Sequence, residues 1–139
     1  DTSYLYSIEV KDYIVPKPIT VKWDFENEFA ENAFKYQGNT GVIADPDTLI
    51  ELSVDATTGK LNARGEDAQF NAGTIIKVPV SVGSVVTVVS YPSYHNYTVA
   101  GEAATADETV VTATEAGYIE IVATDTSYLY SIEVKDLLN

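Results

Sequence analysis

The sequence contains no cysteine and no methionine. Without cysteine there is no disulfide framework, no thiolate nucleophile and no Cys-ligated zinc or iron–sulfur centre. A single histidine rules out a multi-histidine metal site. Positive charge is scarce: 8 basic residues stand against 21 acidic ones, for a net charge of -13. Such a surface repels phosphate backbones, so neither nucleic acid nor an anionic membrane is expected as a partner. No apolar run approaches the roughly 20 residues that a spanning helix needs. A basic-then-apolar leader pattern is not found in these residues. Nucleophile elbow, phosphate loop and zinc-protease signatures are absent too. A glycosidase needs two placed carboxylates, but among 21 acids some pair is inevitable and carries no signal. The expectation is a non-enzymatic chain.

What is present suits one folded domain. The 139 residues are 45% hydrophobic with a mean hydropathy of -0.02, enough for a substantial core and too apolar for disorder. Residues 1–12 read DTSYLYSIEVKD, and residues 125–136 repeat all twelve. A period this long is a whole module, so a tandem array of near-identical modules is the natural reading. Residues 1–13 are then expected to copy the terminal strand of a preceding module. Residues 14–18 would be a Pro-containing linker and residues 19–139 the module itself. In each copy Tyr128, Tyr130, Ile132 and Val134, or their counterparts Tyr4, Tyr6, Ile8 and Val10, alternate with more polar residues and predict one apolar strand face. The simpler reading makes the first copy a remnant. The sharper one pairs it with a sheet edge, which leaves a strand-mediated homodimer open.

Most of the chain alternates in short runs between turn signals, which predicts an all-β fold of nine or ten strands, a β-sandwich of jelly-roll type. Ile19 to Phe25 is expected as a strand with Trp23 in the core. Glu26 to Gly38 is expected to be a covering loop or to hold one helical turn, with Tyr36 free to go either way. Thr48 to Val54 predicts a strand, Asp55 to Gly59 a turn and Lys60 to Arg64 a second strand. Ser84 to Tyr91, with VVTVV at its centre, predicts a strand buried on both faces.

Two groups stand out as binding candidates. Tyr91, Tyr94, His95, Asn96 and Tyr97 crowd a Pro-containing loop. Tyrosines on a rigid loop offer apolar faces with polar tips, suited to the C–H face of a sugar ring, and His95 and Asn96 suit its hydroxyls. Arg64, the lone arginine, leads into Asp67, Gln69 and Asn71, a donor–acceptor array for vicinal hydroxyls or, equally, a polar network that shapes loops. Asn96-Tyr-Thr98 also fits a glycosylation sequon. Acids cluster at Asp45/Asp47, Asp55, Glu66/Asp67 and Asp107/Glu108. Turn oxygens there could hold a structural Ca²⁺, which needs six to eight of them, but a solvated acidic surface is the preferred reading.

The strings GKLNARGEDAQFNAGTIIKVPV, VVSYPSYHNYTVAG and GYIEIVATDTSYLYSIEV, after an early WDF, resemble β-sandwich modules appended to extracellular polysaccharide-degrading enzymes of anaerobic, gut-type bacteria. Pectate lyases, pectin esterases and xylanases carry such modules. The resemblance spans about Ile19 to Lys135. It implies a secreted or cell-surface, non-catalytic carbohydrate-binding module that concentrates an enzyme on plant cell-wall polysaccharide. The negative charge and scattered lysines (Lys17, Lys22, Lys35, Lys60, Lys77) disfavour polyanionic pectin and favour a neutral glycan such as xylan. The alternative is a structural spacer or adhesin repeat in a tandem array.

Overall fold

The computed structural model describes residues 2–8 and 15–139. The fold is all-β, as the alternation predicts. The described residues form eleven strands: β1 (Pro18–Asp24), β2 (Lys35–Ala44), β3 (Glu51–Ala63), β4 (Ala68–Asn71), β5 (Ile75–Val80), β6 (Val85–Ser90), β7 (Tyr97–Val99), β8 (Glu102–Ala103), β9 (Glu108–Thr112), β10 (Gly117–Ala123) and β11 (Ser127–Leu138). They form one curled antiparallel sheet in the order β8-β7-β10-β5-β3-β4-β11-β6-β9, with β1 added to β11 and β2 to β3.

Two long strands let the sheet curl. β3 pairs β5 through Ser53–Asp55 and β4 through Lys60–Ala63. β11 pairs β4 through Ser127–Leu129 and β1 through Ser131–Leu138, with β6 along its other edge. Inside the curl lies one core, in which Val21, Trp23, Phe25, Leu52, Ile76, Val78, Val86, Val88, Ile121, Ile132 and Val134 are fully buried. Alternation selects them, since every second side chain of a strand faces inward. Trp23 is a core residue, as its spacing with Val21 and Phe25 predicts. Its indole Nε1 donates to the carbonyls of Ile43 (3.0 Å) and Ile50 (3.1 Å), which ties β1 to the end of β2 and the start of β3.

Four local expectations are corrected. The predicted Asp55–Gly59 turn is strand backbone within β3, where a register shift against β2 leaves residues 57–59 bulged. β2 carries no clear strand signal because Gly38, Asn39 and Gly41 interrupt it; the Tyr36 ring folds over Gly41 and its hydroxyl donates to the Val42 carbonyl at 2.6 Å. β6 buries one face, and Val85, Thr87 and Val89 on the other are only half-buried. Finally, β11 does not present one apolar face. Its pairing with β6 shifts between Leu129 and Ser131, so Tyr128 and Tyr130 are only half-buried while Ile132 and Val134 are buried. A one-residue slip sends every later side chain to the opposite face.

Of the Glu26–Gly38 stretch, residues 26–34 are the expected covering loop, and Lys35 to Gly38 already belong to β2. Phe25, Phe29 and Phe34 cap the core there with ring centroids 5.6–5.7 Å apart. Residues 2–8 form no strand and are exposed throughout. The expected linker and the rest of the first repeat copy lie partly outside the described residues.

Candidate functional site

The bulge in β11 builds an open concavity on the surface. Tyr128 and Tyr130 project outward beside Tyr91 and Tyr94, from the loop that follows β6. With Glu26, Arg64, Glu66 and Asp67 they line an open cleft of about 500 Å³. The rings meet edge to face: Tyr94–Tyr128 centroids are 5.2 Å apart at 73°, Tyr91–Tyr94 5.8 Å at 71°. Tyr91–Tyr130 are 5.9 Å apart at 49°. Tilted packing of this kind is favourable and fixes the rings as walls of a groove. Tyr91 and Tyr94 remain 45% and 42% exposed.

Arg64 organises the other wall. Its Nε and Nη2 donate to Asp67 Oδ1 (2.7 Å) and Oδ2 (2.9 Å), and Nη2 also reaches Glu66 (3.3 Å). The guanidinium carbon sits 4.4 Å from the Tyr128 ring centroid, a cation–π contact. Asp67 is 1% exposed, and this forked pairing supplies hydrogen bonds to its buried carboxylate. Hydrogen bonding to Asp67 raises the affinity of Arg64 for its proton. The Tyr130 phenol is pushed above its usual range, first by desolvation and then by the charges around the cleft. With Arg64 neutralised by Asp67, Glu26 and Glu66 leave the cleft acidic.

Of the nine candidates named from the sequence, Tyr91, Tyr94, Arg64 and Asp67 come together here. Gln69 and Asn71 stand beside them. Gln69 pairs Tyr128 across the strands and so shares its face, and it donates to Asn71 at 3.3 Å. Asn62 lies next in that row, its buried Oδ1 without a partner among the described residues. The other three do different work. Tyr97 is a correction: it is 1% exposed, packs 6.3 Å from Phe70, and its hydroxyl lies 3.0 Å from Ser90 Oγ. Its ring is core and cannot meet a ligand. His95 Nε2 lies 2.7 Å from Asp107 Oδ1, so it braces the loop and does not line the cleft. Asn96 donates to the Thr126 carbonyl at 2.8 Å and takes Ser127 Oγ on its backbone N–H, which clamps the loop to the start of β11. That occupied amide is a poor glycan acceptor.

Sequence reasoning missed Tyr128, Tyr130, Glu26 and Glu66. Alternation groups the two tyrosines with Ile132 and Val134, and the one hint in the sequence is Ser131, a small polar residue where a slip costs little.

Among the described residues, one acidic group converges: carboxylate oxygens of Glu28, Asp45 and Asp47 lie within 4.8 Å of one another. Desolvation and then Asp47, Asp24 and Asp45 raise the Glu28 carboxyl above its usual range. Asp45 already accepts from Thr48 Oγ1 at 2.7 Å and the Thr48 N–H at 3.1 Å. Three side chains fall short of the six to eight oxygens Ca²⁺ takes. No protein-family model and no curated protein matches the chain.

Proposed function

We propose that the chain is a non-catalytic carbohydrate-binding module of a secreted protein, with the tyrosine cleft as its binding site and a neutral plant cell-wall glycan such as xylan as its ligand. The observation that carries this reading is the cluster of four tyrosines held as groove walls beside a hydrogen-bonding edge of Arg64, Glu66 and Gln69. Sugar C–H faces lie against phenol rings while hydroxyls exchange hydrogen bonds with the rim. Rings already fixed by mutual packing lose little freedom on binding, which keeps the ordering cost low. The acidic rim disfavours uronates, so pectin ranks below xylan.

Affinity electrophoresis through gels containing xylan, β-glucan, mannan or polygalacturonate tests the proposal. Retardation is expected in at least one neutral glycan, with no release of reducing ends. Tyr94→Ala and Tyr128→Ala should each weaken it by about tenfold or more, the loss of one stacked contact. Equal mobility in every gel overturns the proposal. The repeated DTSYLYSIEVKD would then favour a spacer in a tandem array, which should scatter X-rays as a stiff rod.

A further inference from the structure

β11 is hydrogen-bonded along both edges, to β6 on one side and to β4 and β1 on the other. Every side chain it contributes up to Asp136 has an identical twin in residues 1–12. The described part of the twin is exposed, with Tyr4 at 83%, Leu5 at 76%, Tyr6 at 99% and Ile8 at 77%. Burying these side chains in a slot shaped for them is favourable. The slot also ends where the twin leads. β1 is antiparallel to β11, with Ile19 opposite Leu137 and Pro18 opposite Leu138. By sequence, Leu137 and Leu138 correspond to Tyr13 and Ile14. A strand seated with Ile14 opposite Pro18 leaves Val15, Pro16 and Lys17 as a three-residue connection, an ordinary β-hairpin loop.

We infer that the β11 slot is a binding site for the chain's own residues 1–14. Either copy fills it within one molecule, the N-terminal one as a β-hairpin with β1. Tyr4 and Tyr6 then stand where Tyr128 and Tyr130 stand, and the cleft is rebuilt from the other end of the chain. Seating the N-terminal copy gives up the two backbone hydrogen bonds between Lys17 and Asn139. It also puts Tyr13 where Leu137 is buried. These losses make residues 127–138 the main occupant and the N-terminal copy the reserve. A three-residue connection holds the reserve at a high effective concentration, which favours the same molecule over a neighbour.

The test uses the full chain. Ile132 is fully buried, and Ile8 is its twin. Ile8→Asp should melt like the parent. Ile132→Asp should stay monomeric and melt cooperatively within about 10 °C of it. The double variant should lose the cooperative transition. Thr87 sits opposite Glu133, the twin of Glu9. In the Ile132→Asp background, Thr87→Cys with Glu9→Cys should therefore close a disulfide within one molecule. An Ile132→Asp chain as damaged as the double variant overturns the inference. So does one that folds only as a concentration-dependent dimer, or one whose cysteines stay free.

Discussion

Tyrosines of one sequence neighbourhood end in opposite environments because each phenol goes where its hydroxyl is satisfied. Tyr91 and Tyr94 keep theirs at the surface of the cleft. Tyr97 takes its hydroxyl inside, where Ser90 Oγ lies 3.0 Å away. Burial raises the Tyr97 phenol above its ordinary value of 10.0, against the smaller opposing effect of its hydrogen bonds to Ser90 and Thr109. A raised folded-state value means that the native fold prefers the neutral phenol. The stability so gained is intact below the unfolded value near 10 and is lost as pH climbs through the folded one. Tyr97→Phe should therefore flatten the fall in urea midpoint above pH 10, at a cost near neutrality of about 0.5–1.5 kcal/mol for the lost hydrogen bond. Tyr130 is raised in the same direction, so part of the alkaline slope should remain. An unchanged slope would mean that Tyr97 is not the group that titrates.

At the scale of elements, the two strands that curl the sheet are the two whose regularity is broken. β3 bulges at residues 57–59 as it passes from β5 to β4, and the Ala72–Gly73 turn packs into that bend. A Cβ on Gly59 would sit 2.1 Å from Thr74 Oγ1 and 2.6 Å from the Thr74 backbone nitrogen. Thr74 cannot retreat, because its hydroxyl accepts from the Lys60 N–H at 2.7 Å and donates to the Lys60 carbonyl at 3.1 Å. Gly59→Ala should cost about 2 kcal/mol or more in chemical denaturation, as overpacking against backbone does. Gly38→Ala, which meets nothing within 4 Å but has φ +73°, should cost about 1 kcal/mol from backbone strain alone. Equal losses would show that the Gly59 contact relaxes. These breaks also mark what the sequence could reveal. Regular alternation reveals β1 and β6 and places Trp23 correctly. A turn signal at DATTG was real chemistry misassigned, since the same small residues serve a bulge. The slip at Ser131 is set by three neighbours of β11 at once, information no single strand carries. So the loop half of the cleft, Tyr91 and Tyr94, was legible, and the strand half, Tyr128 and Tyr130, was not.

At the scale of the whole molecule, charge decides which polymers approach. The chain carries a net -13 with a pI near 4.1, and Glu26 and Glu66 extend that field to the mouth of the cleft. The single arginine counters it little, because its charge is paired with Asp67 through Nε and Nη2. A polyanion thus meets repulsion over the whole approach, and that repulsion shrinks as the Debye length falls from about 30 Å at 0.01 M salt to about 8 Å at 0.15 M. A neutral glycan meets no such field, and its contacts with phenol rings and hydrogen-bonding groups are insensitive to salt. Between these two ionic strengths, retention on xylan should stay level and any retention on polygalacturonate should rise. The melting temperature should rise with it, because the same screening relieves repulsion among the molecule's own carboxylates. Retention on polygalacturonate that falls with salt would demand an attractive charge at the cleft, which Arg64, already committed to a buried carboxylate, cannot supply.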